Sequence, residues 1–162
     1  MRDERRDAGG LGRSRLPAGM ADGDLAVLSR LCWVAPVRRG HLFFTEGDAA
    51  HRFWLICSGH VALDLTAPGG RELIVETLGQ GDLLGLSWFV PPYQWQFSAT
   101  AVHDTTTFEF NADAVRAACE SEAGLGYELL QRVMAAASSR LQATRVRMLD
   151  LYGASSAVRG GP

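Results

Sequence analysis

The hydrophobic period of this chain changes after a first short helix and again near Asn111, and the second change limits the fold more than any other feature. Upstream, apolar residues come in short runs cut by glycine turns. Leu42-Phe43-Phe44 stops at Glu46-Gly47-Asp48, and FWLICSG (53–59) reads as a buried strand. HVALDLTA (60–67) sets Val61, Leu63 and Leu65 against Ala62, Asp64 and Thr66, the alternation of a half-buried strand. Ser58-Gly59, Pro68-Gly69-Gly70 and Gly79-Gln80-Gly81-Asp82 are turns around these runs and RELIVETL (71–78). FSATAV and TTTFEF follow, parted by His103-Asp104. Short strands separated by about 8–12 residues predict a β-roll or barrel. A short helix precedes them, capped by Asp22 or Asp24, carrying Leu25, Val27, Leu28 and Leu31, and closed by Trp33 and Pro36.

Downstream, Asn111 caps a short helix ending near Cys119. From Glu122 to Tyr152 there is no proline, and the only glycines, Gly124 and Gly126, lie near the start. Thirty residues at 1.5 Å each make a helix about 45 Å long, more than a small roll can cover. Leu130, Met134, Ala137, Leu141, Thr144, Met148 and Leu151 alternate spacings of four and three, a heptad seam. Val133, Val146 and Leu149 supply part of a second stripe. The pattern therefore predicts one helix face on the roll and the narrow seam on a second copy. The expected fold is α+β, mainly β: a double-stranded β-helix, jelly-roll-like, over residues 36–110, with a C-terminal dimerisation helix over 122–152.

With 162 residues, one domain is expected, at 21–152, between unstructured tails at 1–20 and 153–162. Met20 is an alternative translation start. The sixteen basic residues are all arginine and the net charge is −2, which argues against nucleic-acid binding by bulk electrostatics. Cys32, Cys57 and Cys119 are too far apart for a disulfide framework or metal cluster and read as reduced thiols. His41, His51, His60 and His103 stand singly, without the His-x-His pair of a metal cupin. Ser58, Ser87 and Ser98 lack a nucleophile elbow, so no catalytic residue and no enzyme is expected. The absence of an apolar leader or spanning segment predicts a cytoplasmic protein without membrane contact.

Short helix, β-roll and long helix, in that order, resemble the cyclic nucleotide-binding domain of the Crp/Fnr (catabolite activator) family. The resemblance covers residues 22–152. Glu46-Gly47-Asp48 is similar to the family's early turn, FWLICSGHVAL to its "yxIxxGxVxL" hairpin, and GQGDLLGLSWF (79–89) to the "xxGDxfGExxlf" run that opens the phosphate-binding cassette. RLQATR (140–145) is similar to the "RLQVTS" stretch of the central helix. The resemblance implies a regulatory domain that binds a cyclic nucleotide and reorients an attached output. The length leaves no room for the family's helix-turn-helix, which implies a stand-alone sensor without a DNA-binding domain, acting through a partner protein.

Within that resemblance the cassette departs from the pattern at its two charged positions. The family's ribose-binding Glu, just after the second glycine, falls on Leu86, and its phosphate-binding Arg falls on Trp95 or Gln96. Hydrogen bonds to charged groups contribute about 1.5–3 kcal/mol each, so two losses weaken a cyclic nucleotide by roughly two to four orders of magnitude. Gly85, the backbone donors of Leu86 and Ser87, and the Ser87 hydroxyl remain for a cyclic nucleotide or another small anion. Thr144 matches the residue that contacts the adenine near the dimer seam, or serves as a register device or an i−4 backbone bond. Arg145 offers the positive charge the cassette lacks. Tyr93, Trp95 and Phe97 form a nucleobase platform, a lid or a docking patch. The segment VPPYQWQF (90–97) also resembles a "VPPYxW" run in stand-alone chains that accompany nickel–iron hydrogenase genes, which implies a redox-enzyme partner. The rival readings are a cyclic AMP or cyclic GMP regulator using non-standard contacts, a regulator acting on DNA directly, and a ligand-free structural dimer.

Overall fold

The computed structural model describes Leu11 and residues 18–157, with side chains as far as residue 150. Helix α1 (Asp22–Arg30) leads into strands β1 (Cys32–Val37), β2 (Leu42–Phe44), β3 (Arg52–Ser58), β4 (Val61–Ala67), β5 (Arg71–Leu78), β6 (Leu83–Leu84), β7 (Ser98–Ala101) and β8 (Thr105–Asn111). Helices α2 (Ala112–Ser121) and α3 (Ala123–Ala157) follow. Two four-stranded antiparallel sheets, ordered β1-β8-β3-β6 and β2-β7-β4-β5, face each other as a β-roll.

Alternation along β3 separates the two faces of the first sheet. Phe53, in register with Phe110, faces outward; the two rings stack at 4.6 Å, and Trp88 stacks on Phe53 at 4.0 Å. This layer forms one buried cluster with Leu28 of α1, Val115 of α2, and Leu125, Leu129 and Val133 of α3. Trp54, in register with Glu109, faces the roll interior and meets Phe43 and Phe44 of β2. Each indole buries on the order of 200 Å² of surface, so rings make up much of this side of the core.

Several local expectations are corrected. Ala21, not an aspartate, is the N-cap of α1; Asp22 and Asp24 lie in its first turn, where the helix dipole still favours them. Trp33 and Pro36 belong to β1 rather than to a helix stop, because β1 is an edge strand and an edge tolerates the missing proline N–H. The roll therefore begins at Cys32, ahead of the expected 36. Asn111 does cap α2, its side chain accepting from the Ala114 N–H at 3.0 Å. Helix α3 runs to Ala157, so residues 153–157, expected in the tail, are helical, and the rest of that tail lies outside the described residues. Most of the expected N-terminal tail also lies outside them, but Leu11 is fully buried. Val146 and Leu149, expected toward the roll, are 58% and 71% exposed, whereas Leu125 and Leu129 take that role.

Candidate functional site

The cassette runs from the Gly79–Asp82 turn to β7. Asp82 fixes the turn by accepting the Gly79 N–H at 2.8 Å. Gly85 has φ +84°, a left-handed conformation that favours glycine. A side chain there would also collide: a Cβ would lie 2.7 Å from Trp95 Cζ3. The close approach that the glycine permits is therefore made by the Trp95 ring. Trp95 is 5% exposed and stacks on Phe44 at 3.9 Å with an interplanar angle of 16°. Its backbone is held as firmly, for its N–H donates to Asp48 O and its carbonyl accepts from Gly47 N–H, both at 2.9 Å.

The other sequence-selected cassette residues are less enclosed. Leu86 is half-buried at the cap of a single 3-10 turn, Ser87–Phe89, which half-buried Ser87 opens. One such turn is too short to gather the dipole of a regular helix. Gln96 is exposed and donates to its neighbour Gln94 O at 3.3 Å. The platform residues Tyr93 and Phe97 are half-buried. Arg116, which the sequence pattern did not single out because it lies on α2, reaches this segment. It donates to Trp88 O, pairs with Asp113 and stands 4.3 Å from the Tyr93 ring centroid. Cation–π and hydrogen-bond contacts thus fasten residues 88–93 to α2.

Electrostatics at the end of the cassette are unfavourable for an anion. Ser98 opens β7 opposite Asp64 and accepts the Glu46 N–H at 3.1 Å. Burial, then the charges of Glu72 and Glu46, push the Asp64 carboxyl above its usual value.

On α3, the sequence-selected Thr144 and Arg145 are exposed. Thr144 Oγ1 donates to Arg140 O at 2.9 Å, the i−4 backbone bond. The arginines that reach the roll are Arg140 and Arg147. Arg140 donates to Leu83 O, lies 3.7 Å from Glu76, and is pulled below its usual pKa by burial, against the opposing pull of Glu76 and Asp82. Arg147 donates to Val75 O at 2.7 Å. A stretch similar to RLQVTS signalled Arg140, but nothing in the sequence marked its partner as a carbonyl. Of the seam, Leu130, Met134, Leu141 and Met148 are 42%, 55%, 54% and 50% exposed, and Ala137 is half-buried. Leu151 lies outside the described side chains.

The three cysteines are half-buried and form no disulfide. Burial pushes the Cys32 thiol up to about 12 and raises Cys57 and Cys119 as well, which leaves them poor nucleophiles. Among the described residues no cluster of three metal-ligating side chains occurs, and no helix is long and apolar enough to cross a membrane.

Comparisons agree with this architecture. The catabolite activator protein of Thermus thermophilus superposes with a TM-score of 0.61 at 25% identity, covering 89% of this chain and 63% of its own. A cyclic nucleotide-binding domain from Methylobacillus flagellatus, 19% identical, shares the fold with a TM-score of 0.74, over 86% of this chain and 79% of that one. By sequence, the chain is 29% identical over 141 residues to the CRP-like cAMP-activated global transcriptional regulator of Mycobacterium tuberculosis. That match takes in 87% of this chain, which spans 61% of the relative's length. The profile of the cyclic nucleotide-binding domain matches residues 34–122, and the chain belongs to that family.

Proposed function

We propose that this is a non-enzymatic regulatory domain whose cassette no longer takes a cyclic nucleotide, and that it acts as a dimer through a partner protein. The observation that carries this reading is the Trp95 ring stacked on Phe44 in the space that Gly85 leaves. Leu86 in place of the ribose-binding carboxylate, and the carboxylates of Glu46, Asp64 and Glu72 near Ser98, support it from chemistry and charge. The exposed seam of α3 supports the dimer: four large apolar side chains are left half in water at heptad spacing.

Isothermal calorimetry with cyclic AMP and cyclic GMP tests the reading. The expected result is no saturable heat at millimolar nucleotide. Sub-micromolar binding of either nucleotide would overturn it, and would favour a regulator with non-standard contacts. Sedimentation equilibrium tests the dimer, which a stable monomer at micromolar concentration would refute.

The segment 90–97 supports a protein partner over a ligand lid. Backbone bonds from Ala50 N–H to Tyr93 O (2.7 Å) and between Trp95 and the Gly47–Asp48 turn hold it against the roll. Val90, Pro91 and Pro92 are left exposed at its start. A redox enzyme is the class of partner that the VPPYQW run suggests. Loss of co-purification with such an enzyme on Val90→Asp, with the dimer intact, is the expected result.

A further inference from the structure

We propose that the mouth of the roll is a separate binding site for a small planar organic cation. A cleft of about 430 Å³ opens where β2 and the Asp48–His51 turn part from β3 and β8, within the size range of small-molecule pockets. Its walls are aromatic: Phe43 meets Trp54 edge-on at 5.3 Å, and Phe44, Trp54 and Trp95 form the floor. Trp54, Trp95 and Phe44 are all at most 9% exposed, so the floor is rigid as well as apolar. Trp95 thus closes the cassette from one side and floors this cleft from the other.

The polar groups select the sign of the ligand. Glu109, 9% exposed, lines the cleft; it accepts the Trp54 Nε1–H at 2.9 Å and pairs with Arg52. Each carboxylate oxygen retains a further acceptor site. Asp48 adds a second carboxylate at the rim. Arg52 is the one guanidinium facing the cleft among the described residues; it is already committed to Glu109, and its side chain is 59% exposed. His41 and His51 complete the rim, His51 bonded to Asp113 at 3.0 Å. Two carboxylates against one guanidinium, over ring faces that attract positive charge, favour a cation. Planarity follows from the ring walls, and a fork of N–H donors suits the open sites of Glu109. Arg52 now makes that contact and is the internal competitor.

Benzamidine, a planar aromatic amidinium, is the probe, titrated into the full chain by calorimetry, with benzyl alcohol and benzoate as neutral and anionic controls. Saturable benzamidine binding is expected, with both controls about tenfold weaker or more, the scale of one lost charge-assisted contact. Asp48→Asn, in an exposed turn, should weaken binding severalfold, and Glu109→Gln about tenfold. Arg52→Ala should tighten it by freeing Glu109. No saturable binding, equal binding of benzyl alcohol, an unchanged affinity in Asp48→Asn, or weaker binding in Arg52→Ala would each overturn the proposal. If Glu109→Gln does not fold, Asp48→Asn and Arg52→Ala decide. These outcomes are independent of whether a cyclic nucleotide binds at Gly85.

Discussion

The cassette and the distal half of α3 are treated in opposite ways by the same chain. Beside Gly85 the protein fills its own space: Trp95 and Phe44 stack, and Arg116 fastens the segment to α2. From Leu141 to Asp150 every residue is exposed, and Arg147 to Val75 O is a polar tie rather than a packed face. Burial of apolar surface is the main source of stability, so a chain that satisfies one region internally and leaves a heptad seam uncovered has placed its unmet contacts on the helix. The proposed function rests on this contrast: packed rings beside Gly85, and an exposed apolar seam along α3.

Substitutions can break that contrast, beginning with the largest effect. Trp95→Ala should lower the unfolding free energy by about 3–5 kcal/mol, the cost of a cavity where a buried aromatic stood, read by urea denaturation. Met134→Ala, at a side chain 55% exposed, should change it by less than about 0.5 kcal/mol when measured at concentrations too low for dimer. Leu141→Glu should raise the dimer dissociation constant about a hundredfold by sedimentation, since it sets like charges in an apolar seam, and should leave monomer stability within about 0.5 kcal/mol. Arg140→Leu should cost about 1–2 kcal/mol, because it removes a largely buried charged donor from Leu83 O while keeping some of the packing.

A further small effect is a pH dependence. The Asp64 carboxyl is raised in the folded state, so its proton is held more tightly there than in the unfolded chain. Its contribution to stability is full below the ordinary Asp value and is lost as pH rises through the folded one. Asp64→Asn should therefore be more stable than wild type at neutral pH, by roughly 0.5 kcal/mol, and the gain should vanish as the pH falls below about 4. Thermal melts at the two pH values read it, and a gain that grew in acid would contradict the repulsion of Glu72 and Glu46.

How much of this was legible in the sequence follows from the range of each interaction. Strands and turns around Gly59 and Gly69-Gly70 are set by alternation and backbone conformation, which are local, and they could be read directly. Strand β1 was missed because Pro36 is a stop signal locally and is tolerated only through its edge position in the sheet. At the cassette, Leu86 where the family pattern has a carboxylate was legible, but the Trp95–Phe44 stack beside Gly85 was not. Trp95 meets Phe44 across fifty residues of chain, and two candidate positions, Trp95 and Gln96, were indistinguishable until one proved buried and the other exposed. Of the stripe read from hydrophobicity, Val133 is buried but Val146 and Leu149 are exposed; Leu125 and Leu129, nearer the start of α3, complete the buried face.

Sedimentation equilibrium of the full chain, over a range of concentrations and with or without millimolar cyclic AMP, tests the central claim most directly. The account predicts a dimer at micromolar concentration whose dissociation constant is the same in both conditions. A monomer, or a dimer that tightens or loosens when cyclic AMP is added, would contradict it.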